Sequence, residues 1–263
     1  MSLWPHDPAT AETPVAKSAG GVRKLAAGSH SLADVDARSS VCRACPRLVA
    51  WREEVAHTKR RAYADDDYWG RPVPGFGDQE APILIIGLAP AAHGANRTGR
   101  LFTGDRSGDW LFAALHRAGL ANQSHSVRAD DGLELTGARI VSLVRCAPPA
   151  NKPTPEERGA CTGWLDREIA LITPSVRSVV VLGGMAWQAT CAALVRSGWD
   201  VPRPRPSFGH GATTFVRNPD GTDVMLIGSY HVSQQNTFTG KLTEEMLDDV
   251  FARSLNFAIP DRD

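Results

Sequence analysis

Apolar residues fall along this chain in short dense runs, separated by longer stretches in which they recur at helical spacing. Residues 81–90 (APILIIGLAP), 138–146 (ARIVSLVRC) and 176–183 (VRSVVVLG) are β-branched and nearly continuous. Runs of that kind fit strands buried on both faces, as in a parallel sheet. Residues 213–218 (TTFVRN) and 223–230 (DVMLIGSY) flank the turn PDGT and read as two further strands. Between these lie helical patterns. Leu111, Ala114, Leu115 and Ala118 share one face and stop at Gly119. Thr154, Pro155 and Glu157 form a capping box that opens a helix towards Ile172. A helix is expected from about Gly184 to Arg196, and a last one follows Thr243 with acids in its first turn. Residues 31 to about 59 read as helical, broken near two cysteines.

Strands alternating with helices predict an α/β fold: three layers, α/β/α, around a central, mostly parallel four-stranded sheet. Residues 1–30, rich in Ala, Ser, Gly, Pro and Thr without periodicity, are expected to be a disordered or loosely attached tail. Residues 31–263 are expected to form a single domain. In such sheets ligands bind outside the carboxyl ends of the strands. Three polar loops fall there: 87–108 (GLAPAAHGANRTGRLFTGDRSG), 146–155 (CAPPANKPTP) and 231–240 (HVSQQNTFTG).

Composition adds little to this frame. Of 263 residues, 42% are apolar and 22% charged, and the formal net charge is zero, so any polyanion site must come from local clustering. Arg97, Arg100 and Arg106 cluster in the first loop, and Arg203 and Arg205 lie in another. Gly87, Gly94, Gly99 and Gly104 would let main-chain N–H groups approach a flat ligand. No apolar run approaches a membrane span, and residues 1–20 lack a signal-peptide core. The expected compartment is cytoplasmic, where thiols stay reduced.

The cysteines narrow the picture. Cys42 and Cys45 make a Cys-x-x-Cys pair, Cys146 and Cys161 follow about a hundred residues later, and Cys191 sits alone in a helical stretch. Four sulfurs suit zinc or an iron–sulfur cluster. The second pair is wider than a usual zinc ribbon, but spacing alone leaves zinc, a cluster and no metal open.

The motif GLAPAAHGANRTGR, the motif HVSQQNTFTG and the four-cysteine layout together resemble family 5 uracil-DNA glycosylases, the UDGb type, from about Ser39 to the C-terminal helix. The resemblance implies a glycosylase fold, a [4Fe-4S] cluster on Cys42, Cys45, Cys146 and Cys161, and removal of uracil and other deaminated or damaged bases from DNA. It implies a monomer acting on double-stranded DNA with a flipped base. Where related families place a water-activating side chain, this chain has Leu88 and Ala89. Asn96, Asp105 and His231 are then the candidate catalytic groups, with His231 donating to the departing base. Phe102 corresponds to the aromatic that stacks on the base. Ser142 lies near a base-reading position, Asn151 could reach a base edge, and Ser233, Gln234, Gln235 and Asn236 belong to a loop that could enter the minor groove. Two other readings remain: a nucleotide N-glycosidic hydrolase, and a damage-recognition module without excision.

Overall fold

The computed structural model describes residues 4–259. In chain order the elements are α1 (Ala19–Ala27), α2 (Leu32–Ser40), α3 (Pro46–Thr58), β1 (Phe76–Gly77), β2 (Ile83–Gly87), α4 (Ala95–Thr98), α5 (Arg106–Arg117), β3 (Ala138–Ser142), α6 (Pro155–Ile172), β4 (Ser178–Leu182), α7 (Gly184–Arg196), β5 (Thr213–Arg217), β6 (Asp223–Ser229), α8 (Gln234–Phe238) and α9 (Glu244–Ala258).

The sheet has six strands in the order β1-β3-β2-β4-β6-β5. The four inner strands are mutually parallel, while β1 and β5 pair antiparallel at the two edges. The expected four-stranded sheet is therefore the parallel centre of a six-stranded one. β1 escaped the sequence pattern because it is two residues long in a loop of glycines and prolines.

Alternation along the strands sorts the core into two layers. Ile83, Ile85, Ile140, Val180 and Ile227 face one side, where Leu111, Phe112 and Leu115 of α5 and Leu247, Val250 and Phe251 of α9 cover them. Leu84, Ile86, Val141, Val179, Val181 and Leu226 face the other, under Leu165 and Ile169 of α6 and Trp187 and Leu194 of α7. Period 2 on the strands meets period 3.6 on the helices, and each helix closes one face.

The expected loose tail is corrected. Within residues 4–30, Ser18 caps α1 by accepting from Gly21 N, and Val22 and Ala26 are buried. They join a third apolar cluster with Leu48, Val144 and Trp164, so α1 packs against α6. Composition hid an amphipathic turn pattern among small residues. Residues 31–59 divide as expected, into α2 and α3 with Cys42 and Cys45 at the break.

Candidate active site

The chain leaves β2 for β3 on one side and returns to β4 on the other side of β2. The strand ends part at such a point, which opens a crevice at their carboxyl edge. A cavity there is lined by Gly87, Ala89, Pro90, Ala91, Leu101, Phe102, Asp105 and Ser107 from the first loop, Ser142 from β3 and His231 from the turn after β6. The first and third polar loops thus converge. The second leads instead to the cysteines.

Asp105 is the N-cap of α5. Its Oδ1 accepts from Ser107 N at 2.9 Å and Gly108 N at 3.1 Å. Burial raises its pKa above the usual carboxylate value, and the two N–H donors pull it back only in part. His231 stands opposite. Burial alone lowers its pKa, so the ring is neutral at pH 7. The Asn236 amide donates to the His231 carbonyl at 2.8 Å, holding the turn that bears the ring.

Phe102 and His231 face each other with ring centroids 6.2 Å apart and planes tilted by 36°. Phe102 takes φ 52°, a left-handed conformation that a bulky residue adopts only under strain. Its ring lies over Gly87, where a β-carbon would approach Phe102 Cζ to 3.1 Å. Ser142 donates its hydroxyl hydrogen to Val144 O at 3.0 Å. Towards the cavity it can therefore only accept.

Most of the remaining expected site residues lie elsewhere. Asn96 is fully buried and turns away from the cavity, donating Nδ2 to Arg52 O at 3.3 Å. Leu88 packs into the core beneath α6 and α7, while Ala89 reaches the cavity wall. Asn151 is exposed at φ 56° and lines no part of the cavity. Ser233 caps α8, its carbonyl accepting from Asn236 N and Thr237 N, and Gln234 is exposed.

The arginine cluster of the first loop is also corrected. Arg97 is buried and bonded to Asp66, His93 O and Gly104 O. Arg100 is buried and bonded to Asp131 and Ser126. Both hold the loop together. Only Arg106 of the three stays exposed, 5.6 Å from the ring of Phe238.

Residues 74–253 match the model of the uracil DNA glycosylase superfamily. The chain belongs to that superfamily. It is similar to a type-5 uracil-DNA glycosylase of Mycobacterium tuberculosis, 57% identical over 98% of this chain and 93% of the relative. A type-5 uracil-DNA glycosylase of Thermus thermophilus is 50% identical over 83% of this chain and 94% of its own length. A type-4 uracil-DNA glycosylase of Thermotoga maritima is 35% identical, over 43% of this chain and 51% of its own.

In this superfamily member Cys42, Cys45, Cys146 and Cys161 meet in one cluster with Trp164, Leu48 and Val144. Burial pushes the Cys45 thiol up to about 12, with repulsion from Cys146 and Cys42 adding to it. Burial likewise raises Cys146 to about 11, against the pull of Arg52, and raises Cys161 further. Four facing thiolates would repel one another unless a cationic group joined them. Trp164 Nε1 is buried beside Cys42, and its N–H pulls the Cys42 thiol down against the rise that burial causes. Among those residues no group of three or more His, Cys, Asp or Glu forms a site for a metal ion. Cys191 is buried in α7 away from this set, against the core.

Sequence reasoning missed several parts of the site. Ser107 lines the cavity, and Asp105 followed by Ser107-Gly108 is a helix-cap pattern that would have placed it. Arg52 and Trp164 flank the cysteines, and only their burial in the fold marks them. No helix among the described residues is long and apolar enough to cross a membrane.

Proposed function

We propose that this chain is a monofunctional DNA glycosylase that hydrolyses the N-glycosyl bond of uracil in DNA, as the first step of base excision repair. The observation that carries the reading is the meeting of Asp105, Phe102, Ser142 and His231 on one cavity at the carboxyl edge of the sheet. The names of relatives at 50–57% identity support it.

In this mechanism the base leaves the stack, at a few kcal/mol, and enters the cavity against Phe102. The bond between C1′ and the base nitrogen breaks, and the electron pair departs with the base. His231, neutral, donates a hydrogen bond to the base oxygen that gains negative charge. Asp105, ionised, orients water towards C1′ and offsets the positive charge growing on the sugar. Water adds to C1′ and loses a proton, leaving free base and an abasic sugar. Among the described residues no lysine lines the cavity, so no imine forms and the strand stays intact.

Ser142, limited to accepting, takes an N–H from the base edge. Uracil presents one at N3 and hypoxanthine one at N1, so a serine here favours a broad range of bases. α8 faces the DNA, with Gln234 and Gln235 exposed and Phe238 67% exposed beside Arg106. The chain acts as a monomer.

Cys42, Cys45, Cys146 and Cys161 hold a [4Fe-4S] cluster. The four sulfurs and their mutual repulsion would suit a cationic iron core that bridges them, while the Trp164 N–H would donate to the Cys42 sulfur. The cluster supplies a structural crosslink. It ties the α2–α3 break to the loop after β3 and to α6, and the ion pair of Arg47 with Glu157, 2.7 Å, braces the same junction.

The test is release of free uracil from a uracil-bearing duplex. Release only from nucleotides, or binding without release, overturns the reading. For the cluster, purified protein should be brown with absorbance near about 400 nm from thiolate-to-iron charge transfer. Colourless protein with stoichiometric zinc overturns that part.

A further inference from the structure

Two buried arginines, Arg52 and Arg145, touch the cysteines, a third, Arg139, lies beyond them beside Glu168, and Arg52 lacks an anion. Arg139 pairs with Asp36 and Glu168, and Arg145 pairs with Glu168. Arg52, on α3 and only 1% exposed, has no carboxylate within ion-pair distance among the described residues. Its Nη1 donates to Cys146 Sγ at 2.9 Å, its Nη2 to Cys42 O at 3.0 Å, and its Nε has no partner among the described residues. A buried cation without a counter-charge is strongly destabilising. A neutral thiol is a weak acceptor and does not offset it. The pocket around Arg52 is therefore built for a negative sulfur.

We infer that Arg52 is the counter-charge of the cluster, donating N–H···S to the Cys146 thiolate so that it retains the iron and raises the reduction potential. This rests on the cluster reading above. A tetrathiolate four-iron cluster carries net negative charge, and a nearby cation and a hydrogen bond to sulfur both favour adding an electron. The main chain of Arg52 also meets the first loop. Its carbonyl accepts from Asn96, and Asn96 anchors the loop that bears Asp105, through Asn96 N to Ala91 O and Gly70 N to Asn96 O.

The experiment compares the holoprotein with Arg52→Gln, Arg52→Lys and Arg52→Met, with folding checked by circular dichroism. Iron loss to a chelator is followed at about 400 nm, and the one-electron midpoint is titrated with dithionite as donor. Arg52→Gln should lose iron about 10- to 100-fold faster and have a more negative midpoint. Arg52→Lys, which keeps the charge, should restore much of both. If the glutamine variant does not fold, the methionine variant, of similar bulk and no charge, carries the same expectation. A folded, brown Arg52→Gln or Arg52→Met with wild-type iron loss and midpoint overturns this inference alone. An iron-free wild type overturns the cluster reading itself, and this inference with it.

Discussion

Gly94 lies directly against the carboxylate of Asp105: a β-carbon at position 94 would overlap Oδ2. One oxygen of Asp105 is held by the first turn of α5, and the other is fixed by the absence of a side chain eleven residues earlier. Gly94→Ala should displace the carboxylate and lower single-turnover excision about 10²-fold, the usual effect of a misplaced group. DNA affinity should change little. An unaltered rate would show that the carboxylate position is not critical.

Asp105→Asn separates chemistry from stability. Asparagine caps a helix as well as aspartate does, so α5 should persist, while the rate falls by about 10²–10⁴ without vanishing. The folded pKa of Asp105 is raised by burial, so folding disfavours its ionised form. That penalty is absent below the unfolded value and complete above the folded one. The asparagine variant should therefore be more stable than wild type at neutral pH, with the gain shrinking as pH falls through the folded pKa towards 3.8. Urea unfolding at several pH values checks the sign.

His231→Ala should cost about 10²–10³ in single-turnover excision with little loss of binding. The ring is held neutral by burial, so the wild-type rate should fall with decreasing pH only where Asp105, its pKa raised by burial, takes up a proton. A rate that rises as a group near pH 6.5 becomes protonated would assign the work to a charged imidazole.

Asn96→Ala should leave the chemistry intact. Its amide bonds to Arg52 O outside the cavity, so the variant loses about 1–2 kcal/mol of stability instead. Complete loss of excision in a folded Asn96→Ala protein would return Asn96 to the reaction.

The charges that meet DNA should be those left free by the fold. Arg203 and Arg205 are exposed with no carboxylate within ion-pair distance among the described residues, whereas Arg97 and Arg100 are committed to Asp66 and Asp131. Reversing Arg203 and Arg205 to glutamate should flatten the salt dependence of binding by about 0.9 for each phosphate no longer neutralised. Arg97→Ala should lower thermal stability and leave the slope alone.

Local chemistry in the sequence was enough for the parallel strands, the capping box at Thr154 and the helices from Gly184 and Glu244. Each depends on neighbours within a turn or a strand. The same holds for the two long motifs and the cysteine layout, which give the family directly. What no local pattern contains is direction. Asp105 and Asn96 sit nine residues apart in one loop, both polar, yet one faces the cavity and the other faces α3. Arg97, Arg100 and Arg106 read alike, yet acids at 66 and 131 claim the first two. Those choices are made by partners far along the chain, because a buried polar group goes where its hydrogen bonds can be satisfied. Local pattern thus sets which elements form and which residue types gather at the sheet edge. Which of those side chains are free to act on a substrate depends on contacts distant in the chain, since packing consumes the rest.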